Sequence, residues 1–260
     1  MNNIFHFIFG LAENFNNKPF CYFHYLCIKS CFLTQNNPII KIHCLFEPEN
    51  NFWWDKVKNF CKIVKYKKLP DLVYFCNNKK VWRIEHQSDI LRLLILKEEG
   101  GVYSDIDTFF YKPIFPQFNN KKFVIGKEAY YENANIQYMT GLCNALLISH
   151  SNAEFIDVWL NSYKKEYDDY DWNKLSVRTP LELSFKHENL LHVEPVEAFH
   201  KFGWCGNMYK KNIINGDQGI ITKHLVESKM YDFLITLDSE NIKKQNSLFS
   251  YMCQNIKGLL

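Results

Sequence analysis

The amino-acid sequence predicts an α/β fold, a Rossmann-like and mostly parallel sheet flanked by helices, and three observations predict it. Short apolar runs alternate with helical stripes through the first half of the chain, the pattern of βαβ units. The run Ile90 to Leu96 is apolar on nearly every side, which suits an internal helix. After Gly100-Gly101, an alternating run ends on Asp105 and Asp107, and open α/β sheets bind ligands at the carboxyl ends of their strands.

Each element follows from local chemistry. Ile4 to Phe9, closed by Gly10, is expected as the first, central strand. His6 within it is either a core residue or close to a ligand, and the core reading is preferred because a buried histidine needs only one partner. Pro19 opens a helix through about Leu33, with Phe20, Phe23, Cys27, Ile28 and Cys31 on its buried side. Ile39 to Phe46 is the second strand, a helix carries Trp53 and Trp54 as packing anchors, and Ile63 to Lys68 is another strand. Asp71 to His86 leads into the internal helix, with Ser88 as its N-cap. Later, Phe123 to Gly126 and Cys143 to Ser149 read as short strands, and Ala153 to Tyr167 as an amphipathic helix. Thr179 to Glu182 reads as a capping box, Leu190 to Val193 as a strand, and Ser239 onward as a C-terminal helix packed through Leu248, Phe249 and Met252.

Asp89 and Arg92, three residues apart, share one face of a helical turn. Along Val102 to Thr108 a period of two puts Asp105 and Asp107 on one side of a strand and Ile106 on the other. Paired carboxylates at a strand end can hold Mg2+ or Mn2+, hard cations that keep open positions for phosphate oxygens.

The stretch SDILRLLILKEEGGVYSDIDTFFYK resembles the DXD core of sugar transferases of the glycosyltransferase family 32 type. These are relatives of the alpha-1,4-galactosyltransferases and initiating mannosyltransferases and, more remotely, of the large glucosylating toxins. Their text is close to SD-x-x-R followed by GG-x-Y-x-D-x-D, and every fixed letter is present. The resemblance implies a GT-A type domain over 1–260, with 1–110 as the nucleotide-sugar-binding half and 111–260 as the acceptor half and closing segment. It also implies retaining, metal-dependent transfer of a hexose from a nucleotide sugar to a glycan or protein acceptor. The candidate catalytic residues are Asp105, Asp107, Asp89 and Arg92. Asp107 would bind the metal directly, Asp105 would reach the ribose or the metal through water, and Asp89 and Arg92 would hold the sugar hydroxyls.

Three further segments extend the resemblance. The opening strand is similar to the family's I-H-x-I-F-G text, which brings Phe7, Ile8 and Phe9 beside the nucleotide base. Asn144 matches an asparagine segment near the donor sugar and the acceptor, with Gly141 expected to let the backbone come close there. Ile220 to Tyr231 resembles a closing Y-A-x-H-L-W-x-x-S string with Val226 in place of the tryptophan. His224 then completes the metal site, with Glu227 and Ser228 as alternatives. An aromatic loop from Phe199 to Trp204 resembles a variable segment of the relatives and carries no assigned role. The implied donor is a UDP-hexose with Mn2+ or Mg2+; a GDP-mannose-dependent mannosyltransferase and a non-catalytic relative that binds sugar nucleotides are the alternatives.

Composition bounds the rest. Lys and Arg total 31 against 28 Asp and Glu, a net charge of +3, so nothing points to nucleic acid as a partner. Nine cysteines without a C-x-x-C pair form neither a disulfide framework nor a zinc motif by spacing. The sequence has neither a signal-peptide pattern nor an apolar run long enough to span a membrane, which leads us to expect a cytoplasmic catalytic domain.

Overall fold

The computed structural model describes residues 2–72, 76, 78–132, 135–201, 219–245 and 247–260, and the side chains of these except 130–132 and 135–138. The first half contains β1 (Ile4–Ile8), α1 (Tyr22–Thr34), β2 (Ile39–Cys44), α2 (Phe52–Val57), β3 (Lys62–Lys65), α3 (Ile84–Glu99), β4 (Gly101–Ser104) and β5 (Thr108–Phe110). There follow β6 (Phe123–Glu132), β7 (Asn135–Ser149), α4 (Glu154–Glu166), α5 (Thr179–Lys186), β8 (His192–Glu194) and α6 (Val196–Phe199). The last elements are β9 (Thr222–His224), α7 (Glu227–Leu234), α8 (Asn241–Lys244) and α9 (Leu248–Gln254).

The main sheet has the order β3-β2-β1-β4-β7-β6-β8, and β5 pairs with β9 in a separate two-stranded ladder. Strands β1 to β4 are parallel where they adjoin, because each is reached by a crossover through a helix. The hairpin β6-β7 joins antiparallel to β4, and β8 adds parallel to β6. The result is the mostly parallel α/β sheet with flanking helices that the sequence predicts.

Helix α3 is internal, as its composition requires. Ile90, Leu91, Leu93 and Leu96 share one core with Tyr103 and Leu147 of the sheet and with Phe155 and Trp159 of α4. The other face of the sheet packs Phe5 and Phe7 against Ile28, Trp54 and Phe110. Gly100 and Gly101 end α3 with φ of +66° and +92°, a conformation open to glycine; a Cβ at Gly101 would stand 2.4 Å from the Ile4 carbonyl oxygen. His6 is a core residue: Nδ1 meets His43 Nε2 at 3.1 Å, and Nε2 meets the Gly100 carbonyl at 3.0 Å.

Four local expectations are corrected. Helix α3 begins at Ile84, so Ser88 lies inside it and accepts from Arg92 rather than capping. The strand read through Thr108 stops at Ser104; Asp105, Ile106 and Asp107 form a turn closed by the Thr108 N–H on the Asp105 carbonyl at 3.0 Å. The two short strands are the ends of one long hairpin, whose polar middle hid it. Thr179 does not cap α5, since a π-helical turn, Lys174–Arg178, runs straight into it and leaves no free N–H groups for a capping box.

Candidate active site

Asp107 is gripped by a segment far away in sequence. Register in the β5-β9 ladder sets His224 opposite Thr108. The chain then turns around the carboxylate: Leu225 N–H donates to the Asp107 carbonyl at 2.9 Å, and Glu227 N–H to Oδ2 at 2.7 Å. His224 Nε2 stands 3.2 Å from Asp107 Oδ1 and 4.0 Å from Asp105 Oδ2. Val226 makes the turn with φ of +56°, a left-handed conformation that a β-branched residue adopts only under local strain.

Charge follows from this geometry. Burial opposes ionisation of Asp107, but the His224 imidazole and the Glu227 N–H outweigh it and hold the carboxyl at about 2. Burial likewise opposes the charged form of His224, and the two aspartates reverse the balance and raise it above its ordinary value. Ligand atoms of Asp105, Asp107 and His224 lie within 4.8 Å of one another. Oxygen donors joined by one imidazole fit Mn2+ or Mg2+.

Asp105 also joins this group to a second one. Arg92, 5% exposed, lies 3.1 Å from Asp105 through Nη1 and 3.1 Å from Asp89 through Nη2. It donates to the Asn144 carbonyl at 2.9 Å, and its guanidinium covers the Tyr103 ring at 4.6 Å. Asn144 Nδ2 donates to Asp89 Oδ1 at 2.7 Å, and the Tyr103 hydroxyl to Asp105 Oδ1 at 2.7 Å. Burial raises Asp89 above the usual carboxylate range against the pull of Arg92. Most of the guanidinium fork is thus occupied by the protein, so Arg92 fixes the carboxylates in place.

These groups line one open cleft of about 950 Å³, together with Ile8, Phe9, Asn144, Glu227 and Ser228. Two expectations are corrected here. Phe7 is fully buried on the opposite face of β1 from Ile8, by strand alternation, and packs on Phe110 instead of lining the cleft. Gly141 makes room for the protein itself, since a Cβ there would stand 2.5 Å from the Val177 carbonyl oxygen. Of the alternatives to His224, Glu227 turns its carboxylate to His24 at 3.4 Å and Lys18 at 3.8 Å. Ser228 borders the cleft. Residues of the expected aromatic loop beyond Lys201 lie outside the described residues. Sequence reasoning missed Phe15, which stacks on Phe9 with ring centroids 5.5 Å apart at the cleft wall. It also gave no role to Tyr103, although the tyrosine was a fixed letter of the resembled text.

Over 262 aligned residues the chain is 29% identical to Glucan organizing enzyme 1 of Cryptococcus neoformans var. grubii, covering 97% of this chain and 70% of that protein. Among solved structures it is similar to PaToxG Glycosyltransferase, with a TM-score of 0.44 and 18% identity over 100% of this chain and 87% of that one. It is also similar to the glycosyltransferase GlyE of Streptococcus pneumoniae TIGR4, with a TM-score of 0.45 and 9% identity over 87% and 55% of the two chains. Residues 25–129, which include α3, both glycines and both aspartates of the turn, match the family model described as the glycosyltransferase sugar-binding region containing DXD motif.

Proposed function

We propose that the chain is a retaining, metal-dependent glycosyltransferase that moves a hexose from a UDP-sugar to a glycan or protein acceptor. The observation that carries this reading is the meeting of Asp105, Asp107 and His224 with the Arg92-Asp89-Asn144 cluster in one cleft. Asp107 and His224 would hold Mn2+ or Mg2+, with Asp105 bound directly or through water. When bound, the cation supplies neutralisation of the charge that grows on the leaving diphosphate.

The remaining work falls to the protein. Phe9 and Phe15 offer a stacked aromatic wall to the base. Asp89 and Asn144 present an acceptor and a donor to sugar hydroxyls, and Arg92 keeps Asp89 and Asp105 from drifting apart. No side chain is assigned as a covalent nucleophile. The acceptor oxygen forms its bond to the anomeric carbon on the face from which the diphosphate departs, and the acceptor proton passes to a diphosphate oxygen. In this reading 1–110 serve the nucleotide sugar and 111–260 the acceptor, within one catalytic unit. The name of the fungal relative makes a glucan the first acceptor to try.

The test is a thermal-shift panel of UDP-galactose, UDP-glucose, UDP-N-acetylglucosamine and GDP-mannose, with and without Mn2+, followed by transfer assays. A true donor raises the melting temperature by mass action, only when Mn2+ is present. Asp107→Ala is expected to abolish both the metal-dependent shift and turnover. Turnover that survives in this variant would overturn the assigned role.

A further inference from the structure

Cys143, His200 and His224 form a second cluster beside the carboxylates. Cys143 lies on β7, His200 follows α6, and His224 ends β9, so no sequence spacing announces them. Their sulfur and ring nitrogen atoms lie within 4.8 Å of one another. Cys143 is a free thiol, 6% exposed, and His200 is 2% exposed. Among the described residues neither ring nitrogen of His200 has a hydrogen-bond partner. A buried imidazole without a partner is costly, and a metal ion is one ligand that would satisfy it.

The fold makes room for this ring. Gly126 on β6 lies beneath it, and a Cβ there would stand 3.1 Å from His200 Cδ2 and 2.8 Å from the Phe199 ring. The rings of His200 and His224 meet edge to face with centroids 6.2 Å apart, and both border the cleft that holds Cys143.

We propose that Cys143, His200 and His224 form a metal site that takes Zn2+ in preference to Mn2+, and that zinc bound there inhibits by competing for His224. A thiolate and two imidazoles suit zinc, with a fourth position left for water, whereas Mn2+ favours the carboxylate oxygens. Binding converts the Cys143 thiol to a thiolate and releases its proton to solvent. His224 belongs to both sets, and two dications so close repel each other, so zinc weakens Mn2+ at Asp105 and Asp107. The competition rests on the function proposed above, whereas the zinc site itself does not.

The test uses the metal-free protein titrated with Co2+ as a spectroscopic probe and with Zn2+ against a chromophoric chelator. The wild type is expected to show a sulfur-to-cobalt charge-transfer band that Cys143→Ser lacks and Asp107→Asn retains. His200→Gln is expected to weaken Zn2+ by more than about tenfold, the size of effect seen even for groups behind the ligands. Should Cys143→Ser fail to fold by circular dichroism, His200→Gln decides. Absence of the band in the wild type, or Zn2+ affinity unchanged in His200→Gln, would overturn the site. A thiolate band in a protein without sugar transfer would remove the proposed function and leave the zinc site standing; transfer without the band would do the reverse.

Discussion

At the scale of single residues, Asp107 and His224 are coupled, and the coupling sets a pH dependence. His224 is raised above its ordinary value, so its contribution to stability is present below about pH 6.5 and is lost as pH rises through its folded value. Asp107 is depressed to about 2, so its contribution is present above its ordinary value and is lost as pH falls toward 2. A cation needs the neutral imidazole, which the proton resists giving up. Mn2+ affinity, measured by calorimetry, is therefore expected to climb as pH rises above about 6.5 and then level off. An affinity that is flat across that range would show that His224 is not a ligand. Arg92 makes a second prediction. Its removal leaves Asp89 buried without its charge partner, so Arg92→Ala is expected to cost ~3–5 kcal/mol in urea denaturation. A loss under ~1 kcal/mol would mean that water replaces the guanidinium. From the sequence, the shared face of Asp89 and Arg92 could be read, because helical spacing fixes it. That Asn144 and Asp105 also occupy Arg92 could not, since these partners lie outside its helix.

The elements show where strain and close approach were chosen. Val226 sits in the left-handed region ahead of α7, and that turn aims the Glu227 N–H at Asp107. Val226→Gly is expected to raise stability by ~1 kcal/mol, because glycine adopts this conformation without the cost a β-branched residue bears. Destabilisation by more than ~1 kcal/mol would show that packing of the valine side chain outweighs the backbone term. The glycine turn between α3 and β4 was legible, since two glycines after an apolar helix leave few other conformations. The ends of α3, β4 and the β6-β7 hairpin were less so. Hydrogen bonds that extend or stop an element depend on its neighbours: the Asp105 N–H still bonds Ala145 on β7 in register, and β4 ends because the Asp105 carbonyl accepts from the Thr108 N–H and closes a turn.

For the whole molecule, the site depends on a core built by the two ends of the chain. Phe109 on β5 meets Phe249 on α9 with ring centroids 5.3 Å apart, in a cluster that also holds Phe23, Leu225 and Leu234. Phe249→Ala is expected to cost ~3–5 kcal/mol and to weaken the Mn2+-dependent thermal shift, because the β5-β9 ladder that presents His224 rests on that ring. A shift that is unchanged despite lost stability would show the ladder to be held by its hydrogen bonds alone. No helix among the described residues is long and apolar enough to cross a membrane. The sequence by itself determined the α/β class, the internal helix, the glycine turn and the identity of the two acidic residues, because periodicity and backbone preference act over a few neighbouring positions. Only the tertiary structure decided that His224 faces Asp107, that Asp105 joins the metal ligands to Arg92, and that Cys143 and His200 meet. Those encounters join segments distant along the chain, and only packing and strand pairing bring them within bonding distance.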